Sequence, residues 1–320
     1  MKAIGLHQYG GPEVLQTVEL PTPHATAGQV RVKVLAAGIN PVDEMLRSGD
    51  LAGWYGDTPR PYIPGMDMAG IIDEIGPEVD AALGVSVGQQ VVGIVDNFGS
   101  YGAYSEYLCL PARSVMPVPA NASLPEAGSF LMNALTARNA LDNLDLPQGS
   151  TVLVTGAAGA VGAYTVALAK ADGFAPIAVA AAADEAFLLE QGAVAVIPRG
   201  EQLAARIREQ FPDGVDAVVD AACILPQILP AVRDGGTVIV LRPAEDQTLE
   251  RGVRTKFVNV RDRSTDHETI ARIGQQVAAG LLPLRVAAVF PASEAVAAHR
   301  MRDAGGLRGR IVLDFEHSGL

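Results

Sequence analysis

The amino-acid sequence predicts an α/β protein in which a doubly wound parallel sheet is joined to a second, β-rich part. Up to about Pro119, short apolar runs such as Val30–Leu35 and Ala69–Ile75 are broken repeatedly by Gly and Pro, which is typical of small β-structure. After Pro125, apolar strands alternate with stretches of helical length, a pattern that predicts a parallel sheet covered by helices. The predicted strands are Thr151–Thr155, Ile177–Val179, Ala193–Ile197, Ala217–Asp220 and Thr237–Leu241.

The closing segment of the chain returns to strand character. Arg285–Phe290 and Arg310–Phe315 have strand patterns and flank the helix-like Ser293–Arg302. Since this strand pattern matches that of the first part of the chain, we expect the closing segment to fold back onto the first part.

The composition limits the partners of the chain. Its 320 residues are 49% hydrophobic and 19% charged, and the formal net charge is −12, with 36 acidic and 24 basic residues. Nucleic acid is therefore not expected as a partner, because binding to phosphate backbones depends on Lys and Arg. Cys109 and Cys223 are too few for a four-thiolate metal site or a disulfide framework, which favours a reducing compartment.

Residues 146–169 carry no charge and are long enough to raise the question of a membrane span. However, Gly149, Gly156, Gly159 and Gly162 interrupt the segment. This spacing favours a buried strand, a tight turn and a buried helix. The first residues contain no apolar stretch typical of a signal peptide, so we expect no membrane association and a cytoplasmic location.

The glycine-rich segment after the first predicted parallel strand is the most informative part of the chain. It runs Thr151-Val-Leu-Val-Thr-Gly-Ala-Ala-Gly-Ala-Val-Gly162 and leads into an apolar helical stretch. Aligned with the dinucleotide fingerprint it contains Ala157, Gly159 and Gly162, with Ala157 in place of the first glycine. Gly159, Ala160, Val161 and Gly162 would then bring backbone N–H groups and the helix N-terminus to a pyrophosphate.

The second predicted strand of this region bears on the choice of cofactor. An acid that binds the ribose 2′-hydroxyl usually ends this strand, but here the strand ends in Val179-Ala-Ala-Ala-Ala. The first acid, Asp184, comes later and is expected in the first turn of the next helix. Arg199, just after the third strand, could pair with a 2′-phosphate, or it could be a solvated loop residue. The pattern favours NADPH, with NADH as the alternative.

A series of short motifs follows in order along nearly the whole chain. They are Met1-Lys-Ala-Ile, Gly10-Gly-Pro-Glu-Val-Leu15, Ala37-Gly-Ile-Asn-Pro-Val-Asp43, Pro64-Gly-Met-Asp-Met-Ala-Gly70, Gly102-Ala-Tyr-Ser-Glu-Tyr107, Leu135-Thr-Ala137 and Gly309-Arg-Ile-Val-Leu313. Together with the glycine loop, this order resembles the medium-chain dehydrogenase/reductase superfamily and, within it, the zinc-independent quinone oxidoreductase branch.

The resemblance implies a domain arrangement and a cofactor. It implies a β-rich, GroES-like substrate domain built from residues 1–121 and 285–320, and a central Rossmann domain of residues 122–284. It further implies a nicotinamide cofactor in the cleft between the domains and a homodimer. By analogy alone, Thr136 would face the nicotinamide.

A catalytic zinc ion, which sister branches of the superfamily use, is not expected here. Such a site needs Cys, His and carboxylate ligands. No cysteine lies near Asn40, and Met66 and Asp67 stand where the metal branch has a His-Glu pair. The five histidines are scattered and form no ligand spacing.

Without a metal, hydride delivery to an electron-poor acceptor such as a quinone or a conjugated enone is the easier reaction. Negative charge would collect on the acceptor carbonyl oxygen and would need a positioned donor. The Asn40 amide is the first candidate, although it could instead close its own turn. The resemblance to relatives that reduce enoyl thioesters implies that Tyr55 could donate a proton; alternatively, Tyr55 and Tyr62 form an aromatic pair that caps the substrate pocket. Asp43 and Arg47 are one helical turn apart and are expected to pair with each other.

The sequence therefore predicts an NADPH-dependent reductase of quinones or α,β-unsaturated carbonyls, with a small-molecule acceptor as its partner. One alternative is an enoyl-thioester reductase, for which Arg47, Arg60 and Arg242 are the cations that could hold a thioester arm. Another is a nucleotide-binding protein without turnover that has a structural or regulatory role.

Overall fold

The computed structural model describes residues 1–56, 58–98 and 101–320. The chain forms two compact units. The first unit comprises Met1–Met132, Ser264–Ala279 and Leu284–Leu320, and the second comprises Asn133–Arg263 and Gly280–Pro283.

The strands are numbered along the chain across both units. They are β1 (Lys2–Gly5), β2 (Gln16–Glu19), β3 (Gln29–Gly38), β4 (Asp67–Ile75), β5 (Gln90–Ile94), β6 (Tyr107–Pro111), β7 (Val115–Pro117), β8 (Thr151–Thr155), β9 (Ala175–Ala180), β10 (Ala195–Pro198), β11 (Val215–Asp220), β12 (Val232–Val240), β13 (Gln247–Thr248), β14 (Arg254–Phe257), β15 (Val286–Pro291) and β16 (Arg310–Asp314).

The α-helices are numbered in the same way. They are α1 (Pro41–Ser48), α2 (Ala52–Tyr55), α3 (Leu124–Ala127), α4 (Leu131–Asp142), α5 (Ala160–Ala171), α6 (Glu185–Glu190), α7 (Leu203–Gln210), α8 (Leu225–Ile228), α9 (His267–Ala278) and α10 (Ala295–Ala304).

The second unit contains a mainly parallel sheet with the strand order β10-β9-β8-β11-β12-β14-β13. All neighbouring pairs are parallel except β13 with β14. The chain order reverses between β8 and β11, which is the switch point where ligands bind in open α/β sheets, outside the carboxyl ends of the strands. The predicted Rossmann-type sheet is confirmed.

The first unit is β-rich. Its main sheet has the order β15-β16-β3-β4-β5-β7, with β6 also paired to β3, and β1 and β2 form a separate antiparallel pair. β3 pairs with β4, β6 and β16 in antiparallel fashion. The closing segment therefore folds back onto the first part of the chain, as its strand pattern predicts.

The first unit also includes residues 122–132, 264–279 and 284, which the family resemblance assigned to the central domain. Contacts of α9 explain its position. Ile270, Ile273 and Val277 of this helix are buried, and a Cβ on Gly274 would lie 2.6 Å from the sulfur of Met116 in β7. The Nδ2 of Asn121 donates to the carbonyl of Val277 at 2.9 Å.

The uncharged residues 146–169 form β8, the glycine loop and most of α5. α5 is 12 residues long, and Gly162 to Ala169 are buried. Among the described residues, no helix combines the length and the apolar character needed to cross a bilayer.

Candidate active site

The glycine loop connects β8 to α5 at the carboxyl edge of the parallel sheet. Gly156, directly after β8, has a φ of +58°, a left-handed conformation that favours glycine. A Cβ on Gly162 would lie 2.3 Å from the carbonyl oxygen of Gly156 and 2.6 Å from the Cα of Ala157. Gly162 therefore allows the first turn of α5 to lie directly against the loop.

The loop leaves backbone donors at its open side. Gly159 precedes α5 and is exposed, and a Cβ there would have only the Gly156 oxygen, at 3.2 Å, within 4 Å. Helix geometry leaves the N–H groups of Ala160, Val161 and Gly162 without intrahelical acceptors. These donors, together with the positive end of the helix dipole, suit an anion.

Ala157 differs from the other loop residues that the sequence singled out. It is fully buried, and its N–H donates to the carbonyl of Val179 at 3.2 Å. Its backbone donor therefore joins the loop to β9 and is not available to a phosphate. The left-handed turn is instead made by Gly156. The fingerprint alignment did not include Gly156, although its position immediately after the predicted strand could have identified it.

Arg199 lies where the carboxyl ends of β9 and β10 meet. Its N–H donates to the carbonyl of Ala180, the last residue of β9, at 2.8 Å, and its side chain is exposed. Asp184 lies directly before α6 and is largely buried. The ribose end of a dinucleotide on this sheet edge would thus meet Ala180 and an accessible guanidinium.

The neighbouring end of β11 is held to β8 by a buried hydrogen-bond network. Thr155 Oγ1 donates to Asp220 Oδ1 at 2.6 Å and accepts the N–H of Ala222 at 2.9 Å. Beyond this network, burial and the charge of Asp220 raise the pKa of the Cys223 thiol, while a hydrogen bond from the exposed Arg242 acts in the opposite direction. Arg242 is thus placed beside Cys223.

Thr136 lies on α4 in this second unit and is largely buried.

Asn40 belongs to the first unit and lies in a buried polar network. Its side chain is fully buried. Asn40 Nδ2 donates to Asp67 Oδ2 at 3.0 Å, and its Oδ1 accepts from Arg310 at 2.6 Å. The two carboxylates accept backbone bonds as well: Asp67 from Met132 at 2.6 Å, and Asp43 from Asn40 and Gly65 at 2.8 and 2.7 Å.

The two carboxyl groups of this network are electrostatically perturbed. Burial raises the pKa of both Asp43 and Asp67 to about 6, against the opposing effect of the hydrogen bonds that each accepts. Arg310 also lowers both pKa values through its positive charge. Asn40 is therefore held at both ends of its amide, and its role as a donor to a substrate oxygen stays a prediction.

Tyr55 lies on α2 and is nearly fully buried. Its hydroxyl donates to Asn97 Oδ1 at 3.0 Å, and its ring packs against those of Tyr62 and Phe98 at centroid distances of 5.2 and 5.5 Å. Tyr55, Tyr62 and Asn97 line a cavity of about 440 Å³ in the first unit. Arg60 stacks over the neighbouring Tyr62 ring at 4.9 Å. The structure thus pairs the two tyrosines beside a cavity.

The predicted pairing of Asp43 with Arg47 is wrong. Arg47 instead donates to Asp303 Oδ2 at 2.9 Å and to His299 Nδ1 at 3.3 Å. Because Arg47 has only donors, His299 accepts at Nδ1, so Nε2 carries the hydrogen that faces the Tyr104 hydroxyl at 3.1 Å. Arg47 is nearly fully buried in this cluster, so it is not a cation available to a thioester arm.

His299 is kept neutral by its surroundings. Burial lowers its pKa to about 3, and the positive charges of Arg47 and Arg302 act in the same direction. Among the described residues, no group of three or more His, Cys, Asp or Glu side chains is arranged to hold a metal ion. Met66 and Asp67 are both buried, and Asp67 is bonded to Asn40 and Met132 as described above.

Two protein-family models match the chain. The alcohol dehydrogenase GroES-like domain matches residues 26–120, and the zinc-binding dehydrogenase domain matches residues 191–313.

Individual relatives extend the similarity. The chain is 28% identical to a quinone oxidoreductase of Lama guanicoe, over 98% of this chain and 97% of that protein. It is 31% identical to a 2-methylene-furan-3-one reductase of Solanum lycopersicum over 76% of its own length, and the aligned part spans 63% of that relative.

Solved structures resemble the whole chain. A mycobacterial protein complexed with NADPH has a TM-score of 0.85 at 28% identity and covers 98% of this chain and 100% of its own. A probable oxidoreductase from Mycobacterium abscessus has a TM-score of 0.80 at 30% identity, with 98% of both chains covered. The similarity therefore includes both compact units.

Proposed function

Because the chain belongs to the medium-chain dehydrogenase/reductase superfamily, in its quinone oxidoreductase branch, we propose that it is an NADPH-dependent, zinc-independent reductase of quinones or α,β-unsaturated carbonyl compounds. The observation that carries the proposal is the open donor surface of the second unit: the first N–H groups of α5 and the exposed Arg199 lie along one edge of the parallel sheet. The similarity to a quinone oxidoreductase, to a furanone reductase and to a structure complexed with NADPH supports it.

The residues present fit a dinucleotide. Gly162 lacks the Cβ that would separate α5 from the loop, so the helix N-terminus can approach a pyrophosphate closely. Gly159 leaves open space beside these N–H groups. Arg199 would bind the 2′-phosphate by a charge-assisted hydrogen bond, and no carboxylate ends β9 to bind the 2′-hydroxyl of NADH. NADPH is accordingly the preferred cofactor in this proposal, and Thr136 is assigned to the nicotinamide end.

The bound cofactor supplies the hydride that reduces the acceptor. As the hydride reaches the β-carbon of an enone, negative charge develops on the acceptor carbonyl oxygen, and a positioned donor stabilises it. We assign this donation to Asn40, whose amide orientation is fixed by Asp67 and Arg310. Tyr55, with its hydroxyl beside the cavity of the first unit, is the candidate proton donor for the reduced product.

The chain's proposed activity is tested with a panel of acceptors. Purified protein is incubated with NADPH and, separately, with a quinone, an enone, an enal and an enoyl thioester, and the loss of NADPH absorbance is followed. We expect turnover with the quinone or the enone, no stoichiometric zinc by elemental analysis and full activity after chelator treatment. Turnover with the thioester alone would indicate an enoyl-thioester reductase, and cofactor binding without any turnover would indicate a non-catalytic nucleotide-binding protein.

The proposal also includes a homodimer in the cytoplasm, both expected from the family resemblance. Light scattering of the purified protein tests the dimer by mass. A monomer at working concentration would remove that part of the proposal and leave the proposed reaction untouched.

A further inference from the structure

Arg206 on α7 has an unusual environment. Its Nε and Nη2 atoms are buried and have no hydrogen-bond partner anywhere in the described part of the chain. A guanidinium carries five donors and remains charged at all physiological pH values. Buried, unpaired donors of a charged group are costly, and an incoming anion is one of the few partners that would satisfy them.

Arg208, two residues further along the same helix, provides a contrast. Its three guanidinium nitrogens donate to the carbonyl oxygens of Pro230, Pro212 and Val232 at 3.0, 2.8 and 3.0 Å. The donors of Arg208 are therefore used to hold α7 to its neighbours, whereas those of Arg206 are not. The two side chains have the same chemistry, so the difference lies in what surrounds them.

The position of Arg206 indicates which anion it would meet. Its Nη2 lies 3.7 Å from the place where a Cβ would stand on Gly200, which directly follows Arg199. Arg199 in turn is joined by its N–H to the last residue of β9. Two cations thus lie at the loop that leaves the carboxyl end of β10, beside the end of β9. In a doubly wound sheet this is where the adenosine ribose of a dinucleotide binds.

We propose that Arg206 is a specificity-determining residue that binds the 2′-phosphate of NADPH together with Arg199. The inference rests on the proposed NADPH-dependent function and deepens it. Arg206 would supply buried donors at the inner side of the phosphate, and Arg199 an exposed charge at its outer side. Charge-assisted bonds from two guanidinium groups match the several acceptor oxygens of one phosphate. The bond pattern predicts discrimination between phosphorylated and unphosphorylated ribose.

The proposal is tested by calorimetric titration with two probes, 2′,5′-ADP and 5′-AMP. In Arg206→Met we expect at least a tenfold loss of affinity for 2′,5′-ADP and no change for 5′-AMP. The thermal midpoint of the free protein should stay the same or rise, because two buried donors without a partner are removed. Arg206→Lys should give an intermediate loss, since the charge stays but the fork-shaped donor set is gone.

Arg208→Met is the matched control. It should lower the thermal midpoint and leave the ratio of the two probe affinities unchanged, because its bonds are structural. Equal affinities of wild type and Arg206→Met for 2′,5′-ADP, or an equal loss for both probes, would overturn the role of Arg206 while leaving the proposed function in place. If wild type bound neither probe nor NADPH, the proposed function itself would be wrong, and the inference with it.

Discussion

The two candidate regions of the molecule differ in how their polar groups are used. In the first unit, Asn40, Asp43 and Asp67 are buried, and both polar ends of each side chain are hydrogen-bonded within the protein. In the second unit, the first N–H groups of α5 lack intrahelical acceptors, and Arg206 has two buried nitrogens without a partner among the described residues.

We propose that this difference separates groups that stabilise the fold from groups that bind a ligand. A saturated network makes its contribution in the free protein, so removing one member leaves buried partners unpaired and lowers stability. An unsaturated donor set contributes little to the free protein and becomes favourable when an anion arrives. Substitutions in the two regions should therefore change different quantities: stability in the first and cofactor affinity in the second.

The largest effect is expected for Gly162→Val. Its side chain would begin 2.3 Å from the Gly156 carbonyl oxygen, so α5 must move away from the loop. We expect cofactor affinity to fall at least a hundredfold, about 2.7 kcal/mol, together with some loss of stability from overpacking. Fluorescence titration with NADPH and thermal unfolding measure the two effects.

Gly159→Ala is the matched control for this substitution. Its φ is −77°, which alanine adopts freely, and its Cβ would approach only the Gly156 oxygen. The thermal midpoint should stay unchanged while NADPH affinity falls, because the methyl group would occupy the open side of the loop. Unchanged NADPH affinity in both variants would move the cofactor away from this loop.

Asn40→Ala should show the opposite behaviour. Arg310 and Asp67 would each lose a buried partner, so we expect the free energy of unfolding to fall by about 1–3 kcal/mol. The dissociation constant for NADPH should stay within a factor of about two, and kcat should fall if the amide also donates to the acceptor oxygen. If Asn40→Ala unfolded at the same urea midpoint as wild type, the network would not stabilise the free protein.

Arg199→Ala should affect only one of the two cofactors. Its exposed guanidinium would meet the 2′-phosphate, which NADH lacks, so NADPH affinity should fall about tenfold, near 1.4 kcal/mol, with NADH unchanged. The ratio of the two dissociation constants is the measured quantity, because general damage to the fold would weaken both. An equal change for NADPH and NADH would make Arg199 an ordinary loop residue.

Two buried groups of the first unit, His299 and Asp43, should also determine how stability depends on pH. The pKa of His299 is about 3 in the folded protein, below its ordinary value, so the folded protein loses stability as the pH falls below about 6.5. The pKa of Asp43 is raised to about 6, so folding gains stability as the pH falls through 6.

Two variants separate these opposite effects. When the pH falls from 7 to 5.5, the free energy of unfolding of His299→Gln should rise by roughly 1 kcal/mol relative to that of wild type. The free energy of unfolding of Asp43→Asn should fall by a similar amount relative to wild type over the same pH change. Urea titrations at the two pH values measure both changes. Parallel shifts of the two variants would contradict the assigned directions of the pKa changes.

The sequence predicted the second unit well because its signals are local. Apolar strands alternating with helices, and glycines between β8 and α5, need no knowledge of distant residues. The prediction of the left-handed glycine was wrong by one residue. The fingerprint was aligned on Gly159 and Gly162, so its first position fell on Ala157, whereas Gly156 has the left-handed conformation. Arg206 was missed because an arginine on a helix looks solvated until its surroundings are known.

The first unit shows where such prediction fails. Arg47 and Asp43 have helical spacing, but Arg47 pairs with His299 and Asp303, more than 250 residues away along the chain. Likewise, Asn40 is bonded to Arg310. These contacts exist because α10 and β16, from the end of the chain, pack against elements from its beginning. Tertiary packing of this kind leaves no periodic signal in the sequence.

Hydrogen–deuterium exchange with and without NADPH tests the central claim most directly, because it reports which backbone N–H groups the cofactor uses. Peptides that cover residues 156–163 should show the largest protection on binding, with further protection around residues 199–206, and the Asn40 network should change less because its bonds exist in the free protein. NADPH binding without any protection of residues 156–163 would contradict the account.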